Sequence, residues 1–66
     1  MSIFGTRLKE LRSEANLSQR ELSKIMGVSK SSINMYERGE REPGLDLVVA
    51  FATFFNVRTD YLIRKM

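Results

Sequence analysis

Lys30, Ser31, Asn34 and Met35 stand at i, i+1, i+4 and i+5 within "GVSKSSINMYERG". At helical spacing they share one broad face with Arg38. These side chains donate and accept hydrogen bonds or, for Met35, offer an apolar surface. The chain has no His and no Cys, which removes the commonest general base, thiolate metal ligands and disulfides. There is no glycine-rich phosphate loop, and the acids are scattered among bases rather than paired. The chemistry on offer is recognition of another molecule. No enzyme activity, cofactor or metal is expected.

Composition narrows the partner. The chain has 66 residues and a net charge of +3, with a sequence pI near 9.7. A basic balance on so small a chain points to a polyanion. The longest apolar run, Leu47 to Ala52, is far too short to span a bilayer. The opening "MSIFGTRLKELR" carries no signal-peptide pattern, so a cytoplasmic protein is expected. The start at Met1 and a complete last helix predict a whole gene product.

The face that could recognise a partner needs elements to hold it. Phe4, Leu8, Leu11 and Ala15 form one stripe of a first helix, with Ser2 or Gly5 expected as its cap and Asn16 as its stop. Ser18 followed by Glu21 is the capping-box pattern. It starts a second helix, Gln19 to about Met26, whose apolar face is Leu22, Ile25 and Met26, and which Gly27 ends. Ser29 caps a third helix, Lys30 to Arg38, with Ile33 and Tyr36 inward and Gly39 closing it. "GEREPG" is a loop.

The segment "LDLVVAFATFF" is apolar on every side, so periodicity alone does not separate a helix from a buried strand. Its length and flanks predict a helix. Leu45, Val48, Ala52 and Phe55 make one face; Leu47, Ala50 and Phe54 make another. Thr59 is expected to cap a last helix, Asp60 to Arg64. Five short helices would form one all-α domain over residues 1–66, with its core helix-turn-helix at about 19–38.

Ser23 and Ser32 are small where the second and third helices would cross, as a helix-turn-helix requires. The outer face of the third helix then projects into solvent. A DNA major groove is ~12 Å wide and admits one α-helix, provided its outer side chains are short or flexible. Lys30 could donate to guanine, Asn34 could pair with adenine, Ser31 could serve either, and Met35 could lie on a thymine methyl. Helix starts near Gln19 and Ser29 aim their amides where phosphates would lie.

"LKELRSEANLSQRELSKIMGVSKSSINMYERGEREP", followed by an apolar helix and "NVRTDYL", resembles the phage-repressor and Cro-like (XRE-type) helix-turn-helix family. These are bacterial and phage transcription regulators with a lambda-repressor-like fold. The resemblance runs from about Phe4 to Ile63. It implies that Lys30, Ser31, Asn34 and Met35 occupy base-reading positions. It also implies DNA-backbone contacts from Gln19, Arg38 and Arg41, and a structural pair of Arg12 with Glu37, with a phosphate contact by Arg12 as a second role. A carboxylate beside core Tyr36 asks for such a partner in any case. Glu40 and Glu42 flank Arg41 where some relatives are more basic, and Ser23 stands where Ala is usual.

The second apolar face of the fourth helix predicts a homodimer through Leu47, Ala50 and Phe54, extended by Val57, Tyr61 and Met66. Small domains gain stability by association, and a two-fold dimer would read a palindromic operator in double-stranded DNA. The expected function is that of a DNA-binding regulator, a repressor in the simplest case. The alternative is a protein-interaction module, such as an antitoxin or the target of an anti-repressor, using the same apolar face.

Overall fold

The computed structural model describes residues 3–64. Its elements are α1 (Ile3–Glu14), α2 (Gln19–Met26), α3 (Lys30–Arg38), α4 (Leu45–Phe55) and α5 (Thr59–Ile63), with no strand among the described residues. Local chemistry sets the central boundaries. The Ser18 hydroxyl accepts from the Glu21 amide at 3.0 Å, and the Glu21 carboxylate accepts from the Ser18 amide at 2.8 Å. The Ser29 hydroxyl accepts from the Ser32 amide at 3.0 Å. Gly27 and Gly39 end α2 and α3 at φ 70° and 75°, a conformation that costs a residue with a Cβ ~1–2 kcal/mol. Asn16 and Asn56 take the same left-handed turn after α1 and α4.

α1 packs on α3 and α5, α2 on α3, and α4 on α5. Phe51, Leu8, Leu22, Ile33 and Leu62 are fully buried at the centre. Burying a side chain of this size contributes ~1.5–3 kcal/mol. Phe4, Tyr36 and Phe51 meet in an aromatic triangle with ring centroids 5.7 to 6.4 Å apart, two of its three contacts edge-on. That triangle joins α1, α3 and α4. It holds the inner face of α3 while the outer face stays in solvent.

Several expectations are corrected. Gly5 is not a cap but a buried residue within α1. A Cβ there would lie 2.4 Å from the Tyr36 carbonyl oxygen and 2.8 Å from that of Glu37, so glycine is what lets α1 approach the end of α3. Ser2 lies outside the described residues. Ala15 falls past the end of α1 and is exposed. Ile25 is 50% exposed and Leu45 66% exposed, so neither belongs to its predicted inward face. The inward face of α4 is Val48, Phe51 and Ala52, with Phe55 half-buried beside it. Helix α5 begins at Thr59 itself, with Arg58 at the cap position and no side-chain cap bond.

Candidate nucleic-acid interface

Helix α3 has one face in the core and one in solvent. Ile33, Tyr36 and Glu37 are buried; Lys30, Ser31 and Arg38 are exposed. Asn34 and Met35 are half-buried on its two shoulders. Short Ser31 and Asn34 alternate on this side with the longer, flexible Lys30, Met35 and Arg38, and no rigid aromatic or β-branched side chain stands between the helix backbone and a partner. Ser29, at the helix start, accepts from the Ser32 amide and also donates its hydroxyl to Ser32 Oγ at 3.0 Å. Any contact of Ser29 with a phosphate would fall to the backbone amides that follow it.

The buried end of α3 is tied to α1. Arg12 Nε donates to Glu37 Oε2 at 2.6 Å, and Arg12 Nη2 donates to Glu37 Oε1 at 3.1 Å. Arg12 Nη1 donates to the Leu17 carbonyl at 2.8 Å. Side-chain exposure is only 14% for Arg12 and 3% for Glu37. The hydrogen bond to Glu37 holds the Arg12 guanidinium above its ordinary value, against the opposing effect of burial and with Coulomb attraction adding to it. Three of the Arg12 donors are committed within the protein, so the pair acts first as a structural tie.

Gln19 joins this tie at the start of α2. Its Nε2 donates to Glu37 Oε1 at 3.1 Å, and its Oε1 accepts from Asn34 Nδ2 at 3.4 Å. The structure thus brings four of the predicted residues, Arg12, Gln19, Asn34 and Glu37, into one connected set. Arg38 is exposed but paired with Glu40 at 3.0 Å. Exposed pairs of this kind are worth ~0–1 kcal/mol, so a phosphate could displace Glu40 at little cost. Arg41 lies exposed in the loop.

A second surface lies on α4 and α5. Phe54 is 42% exposed and packs edge-on against Phe55, with centroids 4.9 Å apart. Leu47 and Val57 are partly buried against the core, and Ala50 is half-buried. Val57 and Tyr61 line an open groove with Asn56, Arg58, Asp60 and Arg64. Met66 lies outside the described residues. Sequence reasoning missed Arg7. Its guanidinium sits 4.5 Å over the Tyr61 ring, and its Nη1 donates to the Tyr61 carbonyl and, at 2.9 Å, to the Arg64 carbonyl. A cation on the last carbonyls of α5 suits the negative end of that helix. The only signal in the sequence was a basic residue on α1, which any solvated face supplies.

Two helices joined by a tight turn at Gly27, the second presenting a polar outer face, define a helix-turn-helix module. A family model described as helix-turn-helix matches residues 8–62. The HTH-type transcriptional regulator ImmR of Bacillus subtilis is 36% identical over 62 residues, which is 94% of this chain and 49% of that protein. The P22 c2 repressor, solved with a synthetic operator, superposes with a TM-score of 0.88 at 30% identity over 97% of both chains. The restriction-modification controller protein C.AhdI of Aeromonas hydrophila gives 0.82 at 34% identity over 92% of both. The chain belongs to the phage-repressor and Cro-like helix-turn-helix family. It spans about half the length of several of the curated relatives it matches. Among the described residues no helix is long and apolar enough to cross a membrane.

Proposed function

We propose that the chain is a sequence-specific DNA-binding transcription regulator, with residues 1–66 serving as one helix-turn-helix domain. The observation that carries this reading is the outer face of α3. Its side chains are short or flexible and mostly polar, with Lys30, Ser31 and Arg38 in solvent and Asn34 and Met35 half-buried beside them, and its inner side is locked by Ile33, Tyr36 and the Arg12–Glu37 pair. Lys30, Ser31, Asn34 and Met35 read base edges in the major groove. Gln19, Arg38, Arg41 and the start of α3 at Ser29 meet the backbone. The membership of the family and the operator-bound state of the P22 c2 repressor support this assignment.

No chemistry is required. The regulator acts by occupying promoter DNA, as a repressor, in the bacterial or phage-infected cytoplasm where that DNA lies. It does so as a homodimer through the surface of Leu47, Ala50, Phe54, Val57 and Tyr61. Support comes from the exposure of Phe54 and Tyr61 and from the few base pairs that one recognition helix can read. A two-fold dimer places its recognition helices one turn of DNA apart, ~34 Å.

Selection of bound duplexes from a random pool, repeated at two salt concentrations, tests the reading. The expected result is a palindromic consensus whose affinity falls steeply with salt, because each neutralised phosphate releases counterions. Binding that persists at equal strength on all duplexes would overturn sequence-specific recognition.

A further inference from the structure

Gln19 and Asn34 lie on different helices, and their amides meet at 3.4 Å. The orientation of each amide follows from what it faces. Glu37, held by two bonds from Arg12, is a carboxylate and only accepts. Gln19 must therefore turn its nitrogen toward Glu37, at 3.1 Å. That leaves the Gln19 oxygen facing Asn34. An oxygen accepts only from a donor, so Asn34 turns its nitrogen toward Gln19 and its Oδ1 toward solvent.

We propose that Arg12, Glu37 and Gln19 form a polarity relay that fixes the amide orientation of Asn34 and thereby sets the base it accepts. The inference rests on the reading of Asn34 as a base contact given above. With its oxygen outward, Asn34 accepts from an exocyclic amino group. Its second N–H remains free beside that oxygen. An amino donor next to a ring-nitrogen acceptor is the pattern of adenine N6 and N7 in the major groove; guanine offers two acceptors there. Adenine is the base selected, and guanine is rejected by its O6 facing Oδ1. Glu37 and Gln19 are positioning residues: they need not touch the base to determine it.

The test compares the full chain with Gln19→Met, Asn34→Ala and the double variant, each by selection from a random duplex pool and by direct titration on the selected site. Met keeps the length of Gln19 and removes its amide. Helical circular dichroism establishes that each variant folds. The expected result is that Gln19→Met lowers the preference for adenine over guanine at one base pair on the order of tenfold. That base pair is the one Asn34→Ala relaxes, and in the double variant the two effects do not add. If Gln19→Met weakens all duplexes equally and leaves the adenine preference intact, the relay is wrong and Gln19 contacts only phosphate. If Asn34→Ala itself changes no base preference, the reading of Asn34 as a base contact fails first, and the relay with it.

Discussion

The Arg12 guanidinium meets the Glu37 carboxylate through two hydrogen bonds, across 25 residues of sequence, with both side chains largely shielded from water. Truncating either partner leaves the other buried without its mate. Glu37→Ala should destabilise the fold by about 3 kcal/mol, read from urea unfolding. Arg12→Met with Glu37→Leu should recover a large part of that loss, because a desolvated pair contributes less than its removal costs. The raised value of Arg12 adds stability throughout the range below the ordinary arginine value, and that increment is lost only as pH rises past it. A loss in the double variant equal to the sum of those from Arg12→Met and Glu37→Leu alone would show that the groups are not coupled.

Gly5→Ala sets two effects against each other. Alanine is favoured over glycine in a helix by about 1 kcal/mol. Its Cβ, however, would press on the Tyr36 and Glu37 carbonyl oxygens at 2.4 and 2.8 Å. These are backbone atoms and cannot rotate away. Forcing atoms into a packed contact costs about 1–3 kcal/mol, so the net effect should be a lower melting temperature. A higher one would mean that α1 slides on α3 without penalty.

Ser18→Ala should destabilise α2 by about 1 kcal/mol through loss of its cap. Bonds from the Ser18 backbone amide and hydroxyl hold the Glu21 carboxyl below its ordinary value. A depressed carboxyl adds stability above its unfolded value, and that stability is lost as pH falls through the folded one. Protection of the amides at the start of α2, taken relative to the intrinsic exchange rate at each pH, should therefore fall as the solution is acidified below the ordinary glutamate range. In Ser18→Ala this dependence should shrink. Equal pH profiles for the two proteins would show that the Ser18–Glu21 capping box does not stabilise α2.

The legible parts of this chain are those fixed by short-range chemistry. Ser18, Gly27, Ser29 and Gly39 mark both helices of the helix-turn-helix to the residue, because caps act within one turn. The exposed face of α3 could be read for the same reason, as its inward anchors Ile33 and Tyr36 are three apart. Long-range relationships are not legible in the spacing of residues; the one expected, Arg12 with Glu37 across 25 residues, comes from the family resemblance. Gly5 looked like a cap because its partner, the end of α3, is more than thirty residues away. Phe51 falls on neither predicted face of α4, since a segment apolar all round has no period to read. It became the largest fully buried side chain. The link from Asn34 to Gln19 required knowing how α2 crosses α3.

The surface of α4 and α5 predicts self-association. Sedimentation of the pure chain should show a dimer at micromolar concentration, and Phe54→Lys should shift it to monomer while keeping its helical circular dichroism. Phe54 is 42% exposed, so its replacement disturbs little of the core. A monomeric parent chain would transfer this face to a different protein partner and favour the interaction-module reading.

If α3 meets DNA, its outer face is where the duplex is felt. An amide-resolved NMR titration of the chain with its selected duplex tests that contact most directly. Shift changes should concentrate at Lys30, Ser31, Asn34, Met35 and the start of α2, and should weaken with added salt. Changes confined to α4 and α5, with the Lys30–Arg38 helix unmoved, would contradict DNA contact through α3.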